Sequence, residues 1–214
     1  VYVQFLIYVK NLLRGDLGVS YKLNRSVNDL IGSAFPYTLK LTLLSALLAW
    51  LIGIPAGIVS AIRKNSLIDR LFMGVSLMGV SMPVFWAALL FQYFFAYRMN
   101  LVPVSGATSL SSYFLPSIVL GWSSAGTIAR LTRSNLLEVL EEDYIRTAFA
   151  KGRSQSGVIL HHAFKNALLP VVTMMAIQVA SMLSGAVITE TVFAIPGIGR
   201  LAVDAITSRD MPLL

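Results

Sequence analysis

Asp143-Tyr-Ile-Arg-Thr-Ala-Phe-Ala-Lys-Gly-Arg-Ser-Gln-Ser-Gly-Val-Ile-Leu-His-His-Ala-Phe-Lys-Asn166 is the polar stretch on which the reading of the chain turns. It lies between long apolar runs and carries Arg146, Lys151, Arg153 and Lys165, with His161 and His162. Ile145, Ala148, Phe149 and Gly152 fall at i, i+3, i+4 and i+7, one stripe of a helix. Gly152 breaks that pattern, and Ser154 and Ser156 offer caps for a second helix over about 156–168. A helix–turn–helix this polar does not cross a membrane. It lies at the membrane surface or meets something outside the bilayer.

The surrounding composition is that of a membrane protein. Of 214 residues, 56% are hydrophobic and 13% charged, against about 25% charged in an ordinary soluble domain. Four mostly apolar segments are long enough to span, over 37–62, 71–97, 114–132 and 167–189. Gly53, Pro55 and Gly57 predict a bend in the first, and Pro83 a break in the second. The third is small and polar at Gly121, Ser123, Ser124, Gly126 and Thr127, so it packs among other helices rather than against lipid. Pro170 sits in the first turn of the fourth, where proline is tolerated. Residues 1–36 read as a surface region, with a short helix from Ser26 to Ile31. Residues 191–214 read as a turn at Pro196-Gly197 and another short helix. Three regions follow: 1–36, a core over 37–190 that includes the polar region 133–166, and 191–214. Val1 is not an initiator methionine, and the chain reads as part of a longer protein.

The chain carries a net charge of +7, its lysines and arginines cluster in the loops 63–70 and 130–165 between apolar runs, and 99–113 holds no charge. This is the signature of cytoplasmic loops rather than of nucleic-acid binding. Lys10, Arg14, Lys22 and Arg25 strain the assignment of residues 1–36 to the outside, although long segments obey the rule weakly.

No catalytic constellation is present. The chain has neither a phosphate-binding Gly-rich loop nor a zinc motif. Adjacent His161 and His162 point about 100° apart on a helix and do not share a metal comfortably. With no cysteine there is no thiolate site. The spans lack the central ionisable residues that ion-driven carriers use. Lys40 and Glu190 lie at span ends. Transport by this chain would therefore need an external motor, and the 143–166 stretch either rests on lipid as an amphipathic loop or docks such a motor.

Arg146-Thr-Ala148-x-Ala150-Lys-Gly152, with Leu168-Leu-Pro170 downstream, resembles the cytoplasmic EAA loop of bacterial ABC-importer permeases. Arg146 and Thr147 stand where the general motif has Glu and Ala, as in the peptide-importer subgroup. Gly15-Asp-Leu-Gly-Val-Ser20, Asn65-Ser-x-x-Asp-Arg70, Glu190-Thr-Val-Phe-x-Ile-Pro-Gly-Ile-Gly-Arg-Leu201 and Arg209-Asp-Met-Pro-Leu213 agree with it. Together they resemble the dipeptide/oligopeptide and nickel permease family, in its first permease subunit.

The resemblance implies an all-α, type I importer transmembrane domain, with four of a probable six spans in this chain. It implies a multi-pass protein of a bacterial or archaeal inner membrane, working with a second homologous permease, two cytoplasmic ATPase subunits and an extracytoplasmic binding protein. The chain would hold no cofactor and catalyse nothing, with ATP and Mg on the ATPases. Tyr144, Ile145, Arg146, Thr147, Ala148, Phe149, Lys151 and Gly152 would form the coupling helix, with Ile145, Ala148 and Phe149 as its apolar contacts. Residues 1–36 and 191–214 would face the binding protein, including Glu190, Phe193, Pro196, Gly197, Gly199 and Arg200. Met174, Gln178 and Ser181 share one face of the fourth span and are the candidate lining of the pathway. A nickel importer, a passive channel and a membrane scaffold are the competing readings.

Overall fold

The computed structural model describes residues 2–214, and for residues 3, 4, 7, 8, 156 and 185 the backbone alone. The expectations for Val1 and for the Ser156 cap fall outside the described residues. Among the described residues the chain is helical, with one isolated antiparallel bridge between Val19 and Ser26. Nine α-helices follow in order: α1 Tyr2–Leu13, α2 Val27–Ile62, α3 Leu67–Ser81, α4 Val84–Phe91, α5 Phe114–Leu140, α6 Asp143–Ala150, α7 Gln155–Val158, α8 Phe164–Val192 and α9 Ile198–Ser208. Helix α4 continues through a π segment over Gln92–Arg98, and α7 runs through another, Ile159–Ala163, into α8.

Helix α2 begins ten residues earlier than the apolar run implies. The expected short helix at 26–31 is its first turns, and the boundary at residue 36 falls inside it, with Pro36 in the helix interior. Val27, Leu30 and Ala34 are buried at helical spacing, and α2 packs against α9. That burial carries the helix past the proline. Where a bend was expected at Pro55, α2 runs on as one unbroken helix to Ile62. The nearby glycines serve another purpose: a Cβ on Gly53 would lie 2.7 Å from the Ala125 carbonyl oxygen, and one on Gly57 2.5 Å from that of Ala129. Helix α5 returns the contact, since a Cβ on Gly121 would meet the Ser45 carbonyl at 2.7 Å. Small residues bring the two backbones together as they do between membrane helices.

The break at Pro83 is real. Met82 is extended, as a residue before proline prefers, and α3 and α4 meet at 108°. Helix α2 and the 159–184 segment are long and apolar enough to cross a membrane, and the bent α3–α4 pair makes a third crossing if it counts as one span. Helix α5 has 27 residues, about 40 Å of helix, but is too polar to qualify by itself. It lies against α2, α3 and α8, which bury Ser117, Ser124, Gly126 and Thr132. It also runs on past Arg130 and Arg133 to Leu140 rather than ending at 132. Helix α8 does not start at 167 either. The second helix expected over 156–168 is continuous with it, so Pro170 is interior.

Hydrogen bonds identify the two ends of this bundle. At one, Gly106 N–H donates to the Phe193 carbonyl at 2.8 Å, joining the uncharged loop to the end of α8. At the other, Arg133 pairs with Asp69 and Lys64 with Glu141, bringing the two basic loops together. The main core lies between them, around Leu41, Ala49, Ala88, Val119, Ile128, Val171 and Ala186.

The close approach of α2 and α5 gives a test. Gly57→Leu forces side-chain atoms into the α5 backbone and lowers the thermal midpoint in detergent, at an overpacking cost of about 1–3 kcal/mol. Gly74, with nothing within 4 Å of an added Cβ, accepts alanine with an unchanged or higher midpoint. Equal midpoints for the two variants contradict this packing.

Candidate functional site: the surface helix and its socket

Helix α6 is short because both its ends are specified. Glu142 is extended at the N-cap position, and Asp143 places negative charge in the first turn, where the helix dipole favours it. Thr147 Oγ1 donates to the Asp143 carbonyl at 3.0 Å. Gly152 has φ +78°, a left-handed conformation that costs glycine little, and the Gly152 N–H closes on the Phe149 carbonyl at 2.9 Å. The chain then turns, and Ser154 receives the Gly157 N–H at 3.3 Å to start α7. The expected turn and the Ser154 cap are therefore in place.

The two faces of α6 have different fates. Ile145 is 0% exposed, set among Ala61 of α2, Leu136 of α5, Val158 of α7, Ala163 of the π segment and Ala167 of α8. Ala148 packs half-buried on the same cluster. Ile145 was expected to touch a partner; instead it is the plug that seats α6 in its own chain, packed into an apolar cluster drawn from α2, α5, α7 and α8. Tyr144, Arg146, Thr147, Phe149 and Lys151 are exposed. The Arg146–Asp143 pair, at 3.5 Å and open to solvent, contributes little. A second tie runs to α8: Asn166 Nδ2 donates to the Tyr144 hydroxyl at 2.8 Å and to the His162 carbonyl at 3.2 Å. His161 is exposed and His162 half-buried on the π segment.

Beside the socket sits Asp69, part of the Asn65–Arg70 motif, to which sequence reasoning gave no role. Asp69, 3% exposed, receives Arg133 Nε and Nη2 at 2.7 Å each, the Ser60 hydroxyl, and the Asn65 N–H at 2.8 Å. The Ser66 hydroxyl accepts the Asp69 N–H at 3.2 Å. The Ser66-x-x-Asp69 spacing is a capping-box signal, and could have flagged the position; that Arg133 completes it could not be read from spacing.

At the opposite end, residues expected to be surface contacts turn out to be joints. Glu190 is fully buried. It accepts from Thr38 Oγ1 at 2.6 Å and from the Arg200 N–H at 3.0 Å, so its carboxylate caps the start of α9. Gly197 and Gly199 are buried against it, where any side chain would collide with Glu190 or Val187. Phe193 is buried in the core, and only Pro196 and part of Arg200 remain open. Asp210 binds the N-terminal loop in the same way, accepting from Ser20 Oγ at 2.5 Å and from the Tyr21 and Lys22 N–H groups at 3.1 and 3.3 Å. The Ser20 hydroxyl foremost, with these backbone donors, holds its carboxyl below the usual carboxylate range. On α8, Met174 and Gln178 are half-buried, while Ser181 is exposed in a shallow concavity with Ile177, Ala180 and Ser184. Of the three expected lining residues, Ser181 borders that concavity and Met174 and Gln178 do not.

Residues 53–214 match the family described as binding-protein-dependent transport system inner membrane component. The chain is 42% identical over 241 residues to the dipeptide transport system permease protein DppB of Alkalihalophilus pseudofirmus, covering all of this chain and 72% of that protein. It is likewise 42% identical over 214 residues to the glutathione transport system permease protein GsiC of Escherichia coli K12, covering all of this chain and 70% of GsiC. Among solved structures, an inward-facing form of the MetNI methionine ABC transporter matches 82% of this chain and 80% of its own, with TM-score 0.68 at 19% identity. An amino acid ABC transporter crystallised with histidines matches 87% and 83%, with TM-score 0.64 at 18% identity. These two show a common fold.

The Asp210 joint should respond to acid. Its carboxyl is depressed in the folded chain, so its contribution is complete above the ordinary value near 3.9 and is lost as pH falls through the depressed one. Protease cleavage within residues 14–26 should appear only in strong acid. Ser20→Ala, which returns the carboxyl toward its ordinary value, should move that cleavage to higher pH. An identical profile for the variant removes this role for Ser20.

Proposed function

The chain belongs to the family of binding-protein-dependent transport system inner membrane components, and from this we propose that it is the permease subunit of an ATP-driven importer of short peptides. It is an inner-membrane transport protein with the fold of a type I ABC importer transmembrane domain. The observation that carries the finer reading is the outward face of α6. Tyr144, Arg146, Phe149 and Lys151 stand exposed at the basic end of the bundle, on a helix seated by one buried residue. By the distribution of Lys and Arg that end faces the cytoplasm, where two ATPase subunits bind ATP and Mg and grip this face. A second, homologous permease covers the open side of α8 and completes the pathway. At the other end the binding protein delivers its load against the surface built on α9.

The substrate class rests on the relatives. Dipeptides and glutathione are both short peptides, which favours peptide over nickel. The chain itself moves no bond. Nucleotide closes the ATPases, α6 moves with them, and the helices pass between inward-facing and outward-facing arrangements. Nucleotide shifts that equilibrium only by its differential affinity for the two states.

Vesicles containing the two permeases and the ATPases, supplied with binding protein, should accumulate a labelled dipeptide only when ATP is enclosed with the ATPases. Uptake without nucleotide indicates a channel, and ATPase binding without uptake a scaffold. Phe149→Asp, on the exposed face, should reduce co-purified ATPase about tenfold, equivalent to about 1.4 kcal/mol, while permease yield is unchanged. Normal co-purification places the ATPase contact elsewhere.

A further inference from the structure

Asp residues are almost never buried unless paired, and Asp69 is paired with unusual completeness. Its two oxygens take both arms of the Arg133 guanidinium at 2.7 Å, together with the Ser60 hydroxyl and the Asn65 N–H. These groups come from the end of α2, the loop that follows it, the first turn of α3 and the last third of α5. A two-armed guanidinium contact fixes orientation as well as distance. The pairing therefore holds three helices at set angles and does more than keep them close. The outer Lys64–Glu141 pair, 3.5 Å long and exposed, has no such grip.

The position of this group matters as much as its strength. Ala61 follows Ser60 on α2, and Leu136 lies one turn beyond Arg133 on α5. Ala61 and Leu136 are two walls of the socket that holds Ile145. The polar clasp and the apolar socket thus lie next to each other along the same two helices. Helix α8 takes no part in the clasp; it is tied to α6 separately, by Ala163, Ala167 and the Asn166–Tyr144 hydrogen bond.

We infer that Asp69, Arg133 and Ser60 are positioning residues for coupling: they bind the basic-end tips of α2, α3 and α5 into one body, so that a displacement of α6 delivered through Ile145 moves those helices together instead of prising the socket open. This rests on the reading of α6 as the coupling helix. Without the clasp, α6 still engages the ATPases and ATP is still hydrolysed. The motion is then absorbed where Ala61 and Leu136 part, and uptake per ATP falls.

The test uses the complete transporter in vesicles, with uptake of a labelled dipeptide and ATP hydrolysis measured on the same preparation. Arg133→Gln is expected to lower uptake per ATP about tenfold, within the usual range of coupling between sites, with a normal ratio of co-purified ATPase and hydrolysis still stimulated by the binding protein. Arg133→Lys keeps the charge but not the two-armed geometry, and should fall between Arg133→Gln and the parent. Ser60→Ala leaves the ion pair and should assemble even if Arg133→Gln does not; it lowers the ratio by about twofold. An unchanged ratio in every variant that assembles overturns the inference. So does a proportional fall in uptake and hydrolysis, which is what a merely structural pair produces. Absence of ATP-dependent uptake by the parent protein defeats the transport reading first, and the inference with it.

Discussion

Helix α5 is too polar to face lipid, and the rest of the structure follows from covering it. Backbone contact with α2 is possible because glycine stands at 53, 57 and 121, and the same device recurs on α3, where a Cβ on Gly126 would meet the Ser76 carbonyl at 2.5 Å. Approach this close leaves no room for a lipid chain between the helices. It also gives hydroxyl-bearing residues of α5 a protein environment at a depth where water is scarce. Helices α2 and α8, apolar over long stretches, then supply the outer surface. The polar face of α2, with Thr38, Thr42, Ser45 and Ser60 buried, turns inward, and its long apolar stretches turn outward.

The ends of the bundle are closed by carboxylates. Asp69, Glu190 and Asp210 are all nearly inaccessible, and each receives backbone N–H groups from a loop or a helix start. Only Asp69 faces a guanidinium. Buried acids of this kind fix geometry more than they add stability, since removing charge from water offsets much of the attraction. Their placement is informative: Asp210 joins segments 190 residues apart in the chain, and Glu190 links α8, α9 and Thr38 of α2. Four of the short motifs that carry the family resemblance supply members of these joints: Ser20 and Asp210 pair across two of them, Asn65 and Asp69 lie in a third, and Glu190 and Arg200 in the fourth.

Much of this was legible in the sequence. The apolar runs announced the spans, Pro83 the break, Gly152 the turn, and the small residues of the third span its buried position. What failed did so for identifiable reasons. Helix α2 was started too late because Pro36 and the polar residues before it outweigh local periodicity, whereas the burial of Val27, Leu30 and Ala34 depends on a helix more than 160 residues away. Glu190 and Phe193 were placed on the surface because an acid after an apolar run looks like a span end. Only the fold shows that Thr38 and the start of α9 close over it. Ile145 has the same helical spacing whether its face meets a partner or its own chain. Periodicity identifies a buried stripe, and says nothing about who buries it.

The division of α6 into an inner and an outer face has a consequence for how such assemblies diversify. Its seat depends on Ile145 and the half-buried Ala148, and among the described residues the outer side chains reach another helix through one hydrogen bond, at Tyr144. The outer side chains at 146, 147, 149 and 151 are therefore free to be rewritten without disturbing the fold that holds them. A single fold of this design can thus present different side-chain chemistry on this face while the seat behind it stays the same.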